Sequence, residues 1–407
     1  MTPTGVGGWA WDERLARAAW SRLAEPGDVA AGAAVAALGP VEALAHVRAG
    51  TPLPDAVAGL LDERGTRRRL DAALARWRAR WDQVAPERDV ATVERFGGRL
   101  VVPTDAEWPE PLAGLGLAVP PCLWVLGGLP VGEAAAIAVA MVGARASTAY
   151  GEHVASDMAA GVAERGITVV SGGAFGIDAA AHRGALAVDG TTVAVLACGV
   201  DRYYPRANEG LLRRIAEYGL VLAEVPPGSM PSRSRFLQRN RLIAALSGAT
   251  VVVEAAWRSG ALVTASQAAG MSRGLGAVPG PVTSAASAGC HRLLREMDAT
   301  CVTDASEIAE LVRPLGTVDP APRPVAVCDH DGLPEYDVRV LDALPVRASA
   351  SVASLSAVAG LPERSVEASL GRLELLGLAV ARRTGGEAVY RRARRRVEPT
   401  LRPSPPG

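Results

Sequence analysis

Ser171-Gly172-Gly173-Ala174-Phe175-Gly176-Ile177-Asp178 follows the apolar run Ile167-Thr168-Val169-Val170 and leads into the helical pattern Ala179-Ala180-Ala181-His182. A strand that ends in small residues and then opens a helix leaves backbone N–H groups free at the helix N-terminus, which suits an anion. Glycines let a phosphate approach the main chain closely. The segment therefore predicts a βα unit with a phosphate-bearing ligand at its turn.

The same rhythm extends in both directions. Apolar runs at Ile137–Val142, Ile167–Val170, Thr191–Ala197, Leu220–Val225 and Thr250–Glu254 alternate with helical patterns at Tyr150–Glu164, Ile177–Val188, Leu211–Tyr218, Phe236–Leu246 and Ala261–Met271. A short strand ends at Pro279-Gly280, and two further strand patterns, Arg99–Pro103 and Pro120–Leu126, precede the repeats. Continuous apolar strands between helices argue a parallel sheet covered on both faces. Ligands of such sheets bind at the carboxyl ends of the strands. The fold class is α/β, an extended Rossmann-like doubly wound parallel sheet over residues 90–313.

Helical patterns in Trp11–Leu23, Val41–Val47 and Leu70–Trp81 mark residues 1–85 as a helical domain, SAM-like or helix-hairpin-helix-like, serving DNA, packing or a partner. Residues 314–334 are a proline-rich linker. Residues 335–392 carry three helices and a two-stranded hairpin around Thr384-Gly385-Gly386, the plan of a winged helix. A basic, proline-rich tail, 393–407, ends the chain.

Composition narrows the function. The 407 residues suffice for two or three domains with their own cores. No apolar run approaches the ~20 residues of a membrane span, and the N-terminus lacks a basic start before an apolar core. A cytoplasmic protein with no membrane partner is expected. Basic and acidic residues balance at 43 each, so net charge does not announce nucleic acid, although a balanced protein can still carry a basic groove. All 43 basic residues are arginine, so phosphate contacts fall to planar guanidinium forks. Cys122, Cys198, Cys290, Cys301 and Cys328 form no C-x-x-C pair, and the five histidines are scattered. Buried reduced thiols are expected, with no metal and no cofactor.

Five constellations carry chemistry. Gly143 and Arg145 close the first strand of the repeats, but no G-x-G-x-x-G follows and no acidic residue ends the next strand, which disfavours NAD and FAD. The loop glycines Gly172, Gly173 and Gly176 make an anion nest, yet no Lys-Ser or Lys-Thr follows, which argues against ATP hydrolysis. Asp178 is expected to orient this loop or cap its helix, and His182 to be a structural histidine. Tyr203-Tyr204-Pro205-Arg206 offers two rings and a cation for a base and its phosphate, or simply a proline-initiated loop. Arg235, Arg239, Asn240 and Arg241 gather on one helix, with one arginine available for an internal ion pair. Glu254 is expected to pair with an arginine, and Ser259-Gly260 opens a helix with further N–H donors.

Together Val142–Arg145, Tyr150-Gly151, Ser171–Asp178, Ala181–Leu186, Cys198-Gly199, Tyr204-Pro205, Arg239–Arg241, Glu254, Ser259–Thr264 and Val278–Gly280 closely resemble the DNA-processing protein A (DprA, also called Smf) family, in order over roughly 100–310. The resemblance implies a non-catalytic protein that binds single-stranded DNA, protects it and loads the recombinase RecA onto it, typically in natural transformation. It also implies a homodimer through the Rossmann domain, and it allows for both flanking domains. By position, Gly143, Arg145, Ser171, Gly172, Gly173, Phe175, Gly176, Arg206, Arg239, Asn240, Arg241, Ser259 and Gly260 would line the DNA pocket. Many members carry arginine where Phe175 stands and lysine near Arg206, so Phe175 removes a charge or stacks on a base. Two other readings remain. One is a nucleotide-processing enzyme of the phosphoribohydrolase type, whose P-G-G-x-G-T-x-x-E signature is missing. The other is duplex binding by the C-terminal module, through Arg364 and Arg372 on its third helix and Arg382 and Arg383 at its wing.

Overall fold

The structure, a computed structural model, describes residues 11–61, 66–312, 333–346, 348–384 and 387–393. The expected linker lies outside the described residues except for its last two positions, as do Cys328, Gly385, Gly386 and the tail beyond 393. The chain divides into two compact units, one through residue 317 and one after it.

The first unit begins with helices α1 (Glu13–Leu23), α2 (Val29–Leu38), α3 (Pro40–Ala49), α4 (Asp55–Gly59), α5 (Thr66–Arg78) and α6 (Pro86–Arg95). Their centre is Trp20, edge-on to Trp77 at 5.0 Å, with its indole Nε1 donating to the Pro40 carbonyl. These helices are fastened to the sheet layer. Trp124 Nε1 donates to Ser21 Oγ, and a Cβ on Gly32 would fall 1.8 Å from the Leu117 carbonyl oxygen.

The sheet contains β1 (Gly98–Val101), β2 (Leu123–Leu126), β3 (Ala138–Val142), β4 (Thr168–Ser171), β5 (Thr192–Leu196), β6 (Leu220–Ala223), β7 (Ala249–Val252), β8 (Gly274–Ala277) and β9 (Thr300–Cys301). Its order is β1-β2-β6-β5-β4-β3-β7-β8-β9. From β6 to β9 every pairing is parallel, whereas β1 and β2 extend the β6 edge antiparallel. The expectation of a wholly parallel sheet is corrected there, because strands that precede the first βα unit need no crossover helix to pair. The helices of this layer are α7 (Val131–Ala136), α8 (Ala149–Ala163), α9 (Ile177–Ala187), α10 (Glu209–Tyr218), α11 (Arg233–Ala245), α12 (Ala261–Gly270), α13 (Ala288–Glu296) and α14 (Ala305–Val312). One buried cluster runs through Val125, Ala140, Val195 and Leu222, and another through Met141, Val169, Ile177 and Val251. The chain winds outward from β3 through β6, then returns to place β7 on the other side of β3. That reversal is a topological switch point, where the carboxyl ends of the strands open a crevice.

The second unit contains α15 (Glu335–Ala343), β10 (Ala350–Ser351), α16 (Val352–Ala359), α17 (Glu363–Leu375), β11 (Ala379–Thr384) and β12 (Glu387–Arg392). The hairpin gains a third antiparallel strand, in the order β10-β12-β11. Its core is Val340, Leu341, Leu355, Val366, Leu370 and Leu373. Among the described residues, no single helix is long and apolar enough to cross a membrane.

Candidate nucleic-acid interface

A cleft of about 450 Å³ opens at the switch point. Gly143, Ala144 and Arg145 after β3 form one side, α11 gives Phe236, Arg239 and Asn240, and the turn into α12 gives Ala256, Ser259 and Gly260. Ala174 and Asp178 form its floor. Of the expected residues, Gly143, Arg145, Arg239, Asn240, Ser259 and Gly260 meet here.

The glycine loop is built differently from the expected anion nest. The Asp178 carboxylate, buried in the first turn of α9, accepts from the N–H groups of Gly172 (3.2 Å) and Ala174 (3.4 Å). Ile177 N–H donates to the Ala144 carbonyl. Two of the loop amides, Gly172 and Ala174, thus already hold a carboxylate supplied by the chain, and Asp178 orients the loop. Burial pushes the Asp178 carboxyl up, against the pull of Arg239 and the two amides. Ser171 is fully buried and its Oγ donates to the Met141 carbonyl at 2.6 Å, so it ties β4 to β3 and does not face the cleft. Gly173 and Gly176 have φ of 66° and 72°. A Cβ on Gly176 would meet the Ala144 oxygen at 2.3 Å, so these glycines are demanded by the turn. Phe175 projects from the loop, 47% exposed, outside the cleft lining.

The arginines of α11 diverge, because successive helical positions are turned by about 100°. Arg239 points inward, 5% exposed, and its Nη1 donates to the carbonyls of Gly172 (2.8 Å) and Val195. Burial lowers its pKa to about 10, which leaves it charged at neutral pH. Its main task is to brace the loop, and a Cβ on Gly172 would strike this guanidinium at 2.5 Å. Arg241 turns away and pairs through Nη2 with both Glu224 oxygens, at 2.6 and 2.7 Å. It is the internal ion pair and does not enter the cleft. Arg235 is engaged by Glu25 at 3.0 and 3.1 Å. Asn240 Nδ2 donates to the Gly260 carbonyl at 3.4 Å, closing the cleft between α11 and α12.

Arg145 is exposed and lies 4.9 Å from the centroid of Phe236, which is 5.6 Å from the Tyr204 ring. Phe236 was missed as a site residue from sequence, although it lies three positions before Arg239 and four before Asn240, on the same helical face. Arg206 is exposed beside the loop rather than in the cleft lining, on a short 3-10 turn, Arg206–Asn208. Asn208 of that turn donates to the carbonyls of Gly173 and Ala174. Ser259 Oγ accepts from Ala261 N–H at the start of α12.

Three further expectations resolve. Among the described residues Glu254 pairs with no arginine: it accepts from Thr148 N–H (2.9 Å) and Thr148 Oγ1 (2.5 Å). Gly151 makes room, since a Cβ there would lie 2.3 Å from the Glu254 carboxylate. His182 is structural, fully buried against Thr192. Cys122, Cys198 and Cys290 are buried free thiols, but Cys301 is exposed, on the two-residue edge strand β9. In the second unit, Arg372 is held by Asp337 at 2.6 Å, and among the described residues no ion pair engages Arg364, the other arginine of α17.

The family profile described as DNA recombination-mediator protein A matches residues 99–313, the segment that holds the sheet and the cleft. The chain belongs to this family. It is 46% identical over 373 residues to a putative DNA processing protein DprA of Mycobacterium tuberculosis, covering 89% of this chain and 91% of the relative. It is 38% identical over 211 residues to the protein Smf of Escherichia coli, 52% of this chain and 56% of that one. The X-ray structure of DNA processing protein A from Streptococcus pneumoniae superposes with a TM-score of 0.58 at 27% identity, over 75% of this chain and 99% of that chain. The family is one of DNA-processing recombination mediators and is not known for catalysis. Its matched span places the cleft, with Arg145, Phe236 and the braced loop, inside the family's common region.

Proposed function

We propose that the cleft binds single-stranded DNA and that the protein protects such strands and loads a RecA-type recombinase onto them. The observation that carries this reading is the run Arg145–Phe236–Tyr204 at the cleft mouth. Rings accept any base face, and a guanidinium beside them takes the phosphate, a combination that is tolerant of sequence. A homodimer through the sheet-bearing region, acting in the cytoplasm, is part of the proposal. So is the division into a helical module (1–85), the sheet domain (90–313) and a winged helix (335–392), supported in the last case by the order of three helices and a hairpin.

With Arg239 bracing carbonyls and Arg235 and Arg241 held in ion pairs, the cleft offers Arg145 and the nearby Arg206 to phosphates. Two contacts give a log–log salt slope of about −1.4, at about −0.7 per phosphate on a single strand. Titrating oligo(dT) and an equal-length duplex at two salt concentrations tests the reading. Preference for the single strand is expected, with weaker binding and a shallower slope for Arg145→Ala. Equal affinity of Arg145→Ala and wild type would remove the cleft as the binding site.

A further inference from the structure

Trp257 lies on the turn between β7 and α12, between the cleft-lining residues Ala256 and Ser259, yet it does not line the cleft itself. It is 50% exposed. The Arg292 guanidinium of α13 covers part of the ring, 5.2 Å from its centroid, and is held in place by Glu296 Oε2 at 2.7 Å. The indole is therefore held by a cation on one side and half exposed to solvent. Arg258, the next residue in the chain, is exposed, as is Arg295, which shares the face of α13 with Arg292 at i+3. No ion pair among the described residues engages Arg258 or Arg295.

We propose that Trp257, with Arg258 and Arg292, is a second stacking platform that receives the bases of a strand as it leaves the cleft. This rests on the single-strand reading of the cleft. Trp257 stands on the turn into α12 next to the cleft-lining Ala256, whereas Phe236 stands on α11, so the two elements that flank the cleft each carry a ring. An indole has the aromatic face best suited to cations, and it is Arg258 and Arg295, rather than the ion-paired Arg292, that supply the charge a phosphate backbone requires, while Arg292 holds the ring. A protein partner or a second copy of the chain is the competing occupant.

The test uses the full chain with oligo(dT) of about six and about fifteen nucleotides, lengths towards the two ends of the range of about 4–16 nucleotides that single-strand grooves cover. Trp257→Ala is expected to lose about tenfold in affinity for the long oligomer, the scale of one base–aromatic stack, with the short one unaffected. Trp257→Phe keeps a ring and should retain most of the affinity, which separates stacking from a folding defect. Wild-type affinity of Trp257→Ala for the long oligomer overturns the platform. So does a change in solution mass by light scattering with long-oligomer affinity kept, which assigns the ring to a protein contact. Loss of short-oligomer binding in Arg145→Ala alone keeps the cleft and the platform distinguishable. Failure of wild type to bind either length removes both readings.

Discussion

Arg239, Asn240 and Arg241 are consecutive, yet one braces carbonyls, one bridges to Gly260 and one is buried against Glu224. The sequence shows that these residues belong together on a helix, but which arginine turns inward depends on where Glu224 and the β5 carbonyls stand, and that is set by distant chain. The division has a measurable consequence. Arg241→Ala strands the buried Glu224 carboxylate and should cost about 3–5 kcal/mol in urea denaturation, while the folded fraction binds oligonucleotide as before. His182 gives a pH signature. Thr192 Oγ1 donates to the Val169 carbonyl, so it must accept from His182 Nδ1–H, and the bare Nε2 has no partner among the described residues. Burial in this setting lowers the His182 pKa from 6.5 to about 3. The unfolded chain takes up a proton below pH 6.5 that the folded chain refuses, so stability falls as pH drops from 6.5 towards 3. The slope is at most about 1.4 kcal/mol per pH unit, and His182→Gln should flatten it in denaturation series at pH 5 and 7.

At the scale of elements, the βα repeats were readable because each buried strand is a continuous apolar run and each helix begins at a turn. The antiparallel edge was not, since the direction in which β2 meets β6 depends on a partner nearly a hundred positions away. The strands β9 and β10 are two residues long and carry no period to read. The start of α8 shows how a local signal and a distant one combine. Thr148 Oγ1 accepts from Gly151 N–H as the helix cap and donates to Glu254, tying α8 to the end of β7. Thr148→Ala should therefore cost about 1–2 kcal/mol, towards the upper end of the cap range, and Thr148→Ser should restore most of it in thermal unfolding.

The whole molecule carries no formal net charge, so its attraction for a polyanion rests on local groups of arginines such as those at the cleft and its rim. The two compact units divide near residue 317, and every residue assigned to strand binding lies in the first. Truncation after 317 should leave oligo(dT) affinity within about twofold, a difference too small to correspond to a lost phosphate contact or stack, as read by titration of both forms. The composition hides this arrangement, because the arginines among the described residues are distributed over surface pairs, core braces and cleft alike, and only the fold sorts them. The Asp178 carboxylate inside the glycine loop has a consequence for the resting protein. The loop has a resident counter-anion, so its backbone is already ordered before a ligand arrives, and little of its conformational entropy remains to be lost on binding. Inorganic phosphate finds no vacant amides at Gly172 or Ala174. Any competition of phosphate buffer with a strand beyond that of ionic strength should then arise at the exposed arginines and not at the loop, which should serve as a template whose shape is the same empty or filled.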